Sequence, residues 1–279
     1  MMQLYNETSF QLAELTTKIY STSFYSASNL LTNPTKKHIF NLYAFVRLAD
    51  EIVDTMHDYD KQYLLQKFEA DYYEAVHTNI STNPILHAFQ LTVNSYGIPD
   101  DLIQAFLSSM KSDLAKKEYL SKNEIDSYIY GSADVVGIMC LKIFCNNNTT
   151  LFESLKPFAI KLGSAFQKVN FLRDLKDDMD SLKRIYFPEL TNNKFDEKLK
   201  DSLVYAIEND FLFAFEGIKQ LPKNSKLAVL TAYYYYWALL QKIKQTKANK
   251  IRSERIRING LGKSLLLLKS IFYYYCKLV

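Results

Sequence analysis

Two short stretches carry oxygen-bearing side chains at helical spacing. In "YAFVRLADEIVDT", residues 43–55, Asp50 and Asp54 lie four apart, with Arg47 one turn before Asp50. Residues four apart share a helix face, about 6 Å apart along the axis. In "NFLRDLKDDMD", residues 170–180, Asn170, Asp174 and Asp178 repeat the same interval, and Gln167 and Arg173 flank them. Like charges on one stripe repel. A single such pair is the ordinary make-up of a solvated face. Two such pairs, each beside an Arg and each in an otherwise apolar helix, suit a cation better. Hard cations such as Mg²⁺ (or Mn²⁺) take oxygen ligands, often one or two carboxylates plus substrate phosphates. Arg adds bidentate phosphate contacts. A calcium loop is excluded, because "DLKDDMDSLKRI" lacks the mid-loop Gly and the final Glu.

The elements that must carry these stripes are helices. Apolar residues recur at intervals of three and four almost throughout, and no strand-like alternation competes. Helices are expected over 8–31, 35–57, 60–78, 84–95, 99–117, 122–146, 149–180, 195–220, 223–249 and 253–277, with Pro188 as a breaker. Seven Gly and six Pro in 279 residues are few, which favours long helices over a sheet with many turns. With no linker or repeat, residues 1–279 read as one all-α domain, a bundle able to build a site from side chains projecting into its centre.

Composition narrows the function. The net charge of +4 is mild and gives no ground for nucleic-acid binding, which would call for a clustered basic face. Cys140, Cys145 and Cys276 form no CxxC pair and read as reduced thiols of a cytoplasmic protein. No secretory signal is visible in "MMQLYNETSF". The stretch "SLLLLKSIFYYYCKLV" is interrupted by Lys269 and too short to span a bilayer, so any membrane contact is expected to be peripheral. The four His have no ligand spacing, and "YYYYW", Tyr233–Trp237, reads as core. Arg255 and Arg257 lie in a basic, solvated stretch from which a diphosphate is within reach.

The chain resembles the squalene/phytoene synthases, which join two prenyl diphosphates head to head. Four stretches carry the likeness: "YSTSFYSASNLL", "LYAFVRLADEIVD", "YIYGSADVVGIM" and "GSAFQKVNFLRDLKDDMDSLKRIYFP". The last is the most specific, since it is similar to the family's Gly-x-Ala-x-Gln-x-x-Asn-x-x-Arg-Asp-x-x-x-Asp pattern followed by Arg-Ile-Tyr-x-Pro. Two residues elsewhere depart from the family's motifs, Glu51 and Asp134, standing where the family usually has Asp and Gly.

The resemblance implies an isoprenoid-synthase bundle with a central cavity. It implies Mg²⁺ on Asp50, Asp54, Asn170, Asp174 and Asp178, and diphosphate on Arg47 and Arg173. Ser21, Ser23 and Phe24 would line the site, Tyr43 and Tyr130 would face the reacting carbons, and Gln167 would orient the intermediate. A channel lined by Phe24, Val135, Val136 and Leu162 would hold the chains. The nearest likeness is to the bacterial phytoene synthases, which implies geranylgeranyl diphosphate as substrate and no NADPH. A squalene or dehydrosqualene synthase using farnesyl diphosphate stays open, as does a non-catalytic scaffold of the same fold. Terpene cyclases and chain-elongating prenyltransferases have different second motifs. Oligomeric state is not legible.

Overall fold

The computed structural model describes residues 2–192, 194–276 and 278–279. It is helical, with no strand among the described residues apart from one isolated bridge between Glu118 and Ile185. The chain runs through α1 (Met2–Tyr20), α2 (Thr22–Ser28), α3 (Thr35–Asp54), α4 (Lys61–Thr78), α5 (Pro84–Tyr96) and α6 (Asp100–Ala115). It continues with α7 (Lys122–Ile129), α8 (Val135–Cys145), α9 (Thr149–Arg173), α10 (Leu175–Asp177), α11 (Glu189–Asn192) and α12 (Glu197–Ile218). The last elements are α13 (Lys223–Gln245), α14 (Ala248–Ser253) and α15 (Gly260–Tyr275).

The helix expected over 8–31 is two helices. Ser21 leaves helical geometry and its hydroxyl accepts from the Phe24 N–H, capping α2. Such a cap satisfies a donor that a new helix would otherwise leave bare. The helix expected over 149–180 ends at Arg173, where Asp174 takes a non-helical conformation. The helix expected over 253–277 begins at Gly260, and its last position, Lys277, lies outside the described residues.

α3 is a central element, packed against α1, α4, α5, α6 and α8. Phe45 on it is fully buried and stacks against Phe68 and Phe89, at 5.3 and 4.0 Å between ring centres. α9 lies between α8 and α12. Glycines set how closely α8 and α9 approach. A Cβ on Gly137 would sit 2.9 Å from the Ala159 carbonyl oxygen, and one on Gly163 would sit 2.8 Å from that of Ala133. Lys122–Cys145 is one helical run long and apolar enough to cross a membrane by length and composition, and most of it is packed inside the bundle.

Candidate active site

The two acidic stripes face each other. Asp50 and Asp54 come from the last turns of α3. Asn170 comes from the end of α9, and Asp174 and Asp178 from the short segment after it. Although the helix breaks at Asp174, the Asp174 N–H still reaches the Asn170 carbonyl and the Asp178 N–H that of Asp174, both at 2.9 Å. The three-residue stripe therefore survives the break. A wide helical turn over Asp178–Leu182 comes next, closed by Lys183 in the left-handed region at φ 55°. That reversal brings Arg184 back. Its N–H donates to the Asp178 carbonyl at 2.8 Å, and its guanidinium donates to Asp54 at 2.8 Å and to the Asp113 carbonyl at 2.9 Å. Arg184 thus ties the second stripe to the first and both to α6.

The electrostatics fit this convergence. Burial first, then the charge of Asp54, pushes Asp50 up to about 8. Burial, with Asp174 and Asp54 as the next causes, pushes Asp178 up to about 8 as well. Each carboxyl is short of positive charge. The Asn170 side-chain oxygen is buried without a hydrogen-bond partner, while its amide leans on Gln167 at 3.4 Å. An oxygen-only donor set with a buried, unpaired acceptor fits a hard divalent cation. Among the described residues, no three His, Cys, Asp or Glu side chains already form a cage around one point.

Below the stripes lies an apolar cavity of about 300 Å³. Asp50 and Gln167 line it, with Phe24, Val46, Ala133, Gly137, Leu162 and Phe166 along the walls and Phe144, Leu155 and Leu221 also lining it. Tyr43 stacks on Phe24 at 4.7 Å, and burial pushes its hydroxyl up to about 12. Phe166 stacks on Tyr236 at 4.0 Å, so one member of the tyrosine run backs the cavity wall while Tyr233, Tyr234 and Tyr235 are core.

On the other side of Arg173 is a cationic cleft of about 390 Å³, lined by Ser21, Thr22, Ser23, Arg173, Tyr236, Arg255, Arg257 and Lys263. Arg173 and Arg255 both grip Asp174, at 2.5 and 2.7 Å. Arg47 pairs with Glu51 and lies 4.7 Å over the Tyr20 ring. Glu51, where the family usually has Asp, therefore turns to Arg47.

Two expectations need correction. Tyr130 is 41% exposed and lines neither cavity. The helix widens over Tyr130–Asp134, and the extra residue in a wide turn rotates what it carries. Val135 is fully buried and absent from the cavity wall, whereas Ser132, Ala133 and Val136 form it. Asp134 turns away from the cavity to Ser164, whose hydroxyl donates to it at 2.9 Å, and burial pushes it up to about 7. Sequence reasoning quoted Arg184 within the last family-like stretch but gave it no role, and it missed Asp113. Asp113 sits on the buried face of α6 and accepts from the Tyr128 hydroxyl at 2.8 Å. A carboxylate at a core position of an amphipathic helix was the available signal.

The chain matches the family model for squalene/phytoene synthase over residues 17–261. It is 25% identical over 265 residues to the phytoene synthase of Arthrospira platensis, covering 86% of this chain and 85% of that one. It is 24% identical over 226 residues to the 4,4'-diapophytoene synthase of Staphylococcus haemolyticus, covering 80% and 78%. Its fold superimposes on a dehydrosqualene synthase crystallised with ligand at a TM-score of 0.83, with 22% identity and 98% and 99% coverage. With Asp50 and Gln167 lining an apolar cavity beside two converging acidic stripes, the chain belongs to the squalene/phytoene synthase family of head-to-head prenyltransferases.

Proposed function

We propose that this protein condenses two geranylgeranyl diphosphates to phytoene through a cyclopropyl diphosphate, with a divalent cation and without a hydride donor. The observation that carries the reading is the depth of the cavity below its acidic mouth. Gln167 to Leu155 on α9 spans twelve residues, or about 18 Å of helix. An isoprene unit advances four chain bonds, about 5 Å when extended. With the first carbons at the mouth, four units fill that depth, and three leave the end beside Phe144 and Leu155 empty.

The residues divide the work. Asp50, Asp54, Asn170, Asp174 and Asp178 would hold Mg²⁺, which when bound supplies Lewis-acid charge to the departing diphosphate. Arg173, Arg255, Arg257 and Lys263 line the cleft beside Asp174 and neutralise diphosphate oxygens as the C–O bond breaks. The bonding pair leaves with the diphosphate. The 2,3-double bond of the second substrate supplies the pair for the new C–C bond, and proton loss closes the three-membered ring. A second ionisation and rearrangement end in another proton loss, giving the central double bond. Phe24, Tyr43 and Phe166 exclude water and present π faces to the cation without reacting with it.

A second reading, condensation of two farnesyl diphosphates, draws on the likeness to the Staphylococcus protein. The test is incubation with each diphosphate, with and without Mg²⁺ and NADPH, measuring pyrophosphate and identifying the hydrocarbon. Mg²⁺-dependent conversion of the twenty-carbon substrate to phytoene, unaffected by NADPH, is expected. Exclusive use of the fifteen-carbon substrate would select the second reading, and a need for NADPH would select squalene. No pyrophosphate from either substrate would leave a non-catalytic member of the fold.

A further inference from the structure

Behind the cavity wall lies a second group of charges, separate from the two acidic stripes. Asp134 is buried at the end of the wide turn over Tyr130–Asp134, and its carboxylate accepts from the Ser164 hydroxyl at 2.9 Å. Lys161 and Lys168 of α9 both pair with Asp210 of α12, at 3.1 and 2.7 Å, and these three charges act on Asp134. The other elements against the turn direct their charges elsewhere. Asp113 of α6 accepts from Tyr128 at 2.8 Å, Glu124 of α7 pairs with Lys116 at 2.9 Å, and Lys142 of α8 lies 4.7 Å over the Phe152 ring.

The wall between this group and the cavity is thin. Ser132, Ala133, Val136 and Gly137 line the cavity on one side of Asp134, and Gly163 lines it from α9. A Cβ on Gly163 would lie 3.0 Å from the Asp134 Cα. The carboxylate is therefore within about one helix diameter, ~10 Å, of the lumen. Gly163 precedes Gln167 by one turn of α9, so Asp134 stands beside the part of the cavity nearest the mouth, where the first carbons of a bound chain would lie.

The charge of the group depends on Asp134. Lys161, Lys168 and Asp210 sum to +1, and an ionised Asp134 brings the total to zero. Burial pushes Asp134 up to about 7, against the pull of Ser164 and the two lysines, so both states are reached near neutral pH. One unit charge at about 10 Å, in a medium of effective dielectric about 20, changes the stability of a cation in the lumen by about tenfold or more.

We propose that Asp134 is a positioning residue for the ionisation step: acting through the wall without touching the chain, its carboxylate cancels the surplus positive charge behind α9, so that a carbocation forms in the cavity with no repelling field beside it. This role rests on the ionisation in the proposed function and on neither chain length.

The test compares two probes, a farnesyl chain ending in trimethylammonium and its uncharged carbon isostere. Their binding to wild type and to Asp134→Asn is measured by titration calorimetry between pH 6 and 8. The amide keeps the size of the side chain and an acceptor for Ser164. At pH 8 the variant should bind the charged chain about tenfold more weakly and the neutral chain within about twofold of wild type. The advantage of wild type should fade towards pH 6, while the contributions of Asp50 and Asp178 are common to both proteins. In Ser164→Ala, which removes the donor to the carboxylate, the same change should move to higher pH. In turnover at pH 8, Asp134→Asn should lower kcat about tenfold with KM little changed, because the cation exists only after ionisation has begun. Equal loss of both probes would make Asp134 a packing residue and overturn the proposal, as would unchanged binding of the charged chain or an advantage independent of pH. Failure of the wild type to release pyrophosphate would count against the proposed function, whereas the ratio of the two probes decides the role of Asp134 without turnover.

Discussion

At the scale of single residues, the site is a cluster of carboxylates held close by the fold, with Asp54 and Asp174 paired to arginines and Asp50 and Asp178 crowded by their acidic neighbours. Asp50 and Asp178 both rise from 3.8 to about 8, with burial the larger cause and neighbouring carboxylates the next. These upward shifts fix the sign of the stability effect. Between about 4 and 8 the folded state keeps protons that the unfolded state has released. Stability from these groups therefore falls as pH rises through that window and is flat above it. His38, held down to about 4 by burial and Lys37, acts oppositely below 6.5, so the range from 6.5 to 8 isolates the carboxylates. Asp113 and Asp134, each raised to about 7 by burial, add to the same slope. In metal-free protein, melting temperature should drop by roughly 5 °C across that range. Asp50→Asn should flatten part of the slope and melt higher than wild type at pH 8, while losing turnover by about a thousandfold or more, because its charge matters most as the diphosphate leaves. Mg²⁺ should raise the wild-type midpoint more than that of the variant. Scanning calorimetry with and without Mg²⁺ checks the stability effects and a pyrophosphate-release assay the turnover, and a variant with wild-type turnover would remove Asp50 from the site.

At the scale of elements, both stripes were legible in the sequence because i, i+4 spacing translates directly into a shared face. What was not legible was where helices break. Ser21 could cap or sit within a helix by its type alone, and only packing of α2 against α13 decides. The wide turns over Tyr130–Asp134 and Asp178–Leu182 add a residue to the period, which no periodicity count anticipates. The first moved Tyr130 outward, and the second, with Lys183, delivered Arg184 to Asp54 across 130 residues. A long-range pairing of that kind has no local signal. The contact of α9 with the wide turn before α8 gives a test at this scale. In Gly163→Ala the new methyl would meet the Ala133 carbonyl at 2.8 Å and the Asp134 Cα at 3.0 Å, backbone atoms that no rotamer change can move aside. Ala gains about 1 kcal/mol over Gly in a helix, but overpacking costs about 1–3. A net loss of up to about 2 kcal/mol in urea unfolding is expected, and a raised midpoint would mean that the two segments are free to move apart.

At the scale of the whole molecule, specificity rests on how α2, α3, α8, α9, α12 and α13 together close the cavity. Sequence could assign the walls only in part, since which side chains plug the far end depends on how six helices meet. In the structure Phe144 of α8, Leu155 of α9 and Leu221 after α12 line the cavity, Leu155 three turns of α9 before Gln167. Ala159 lines the wall four residues nearer the mouth than Leu155, about 6 Å of helix and close to one isoprene unit. Ala159→Phe would fill that last segment with a ring placed in existing space, so the bundle need not expand. A chain one unit shorter would still fit. The longer chain would lose burial of about five carbons, worth roughly 2–4 kcal/mol at ~0.8 per CH₂, or meet overpacking. In direct competition between the twenty- and fifteen-carbon diphosphates, the variant should shift the product ratio towards the shorter chain by about thirtyfold or more, read by chromatography of the hydrocarbons. Wild-type enzyme using both lengths equally, with a variant that does the same, would show that the far end of this cavity does not measure the substrate. A wild type confined to fifteen carbons would instead place the effective floor above Ala159, nearer Gly163, where α9 meets the backbone of Ala133 and Asp134.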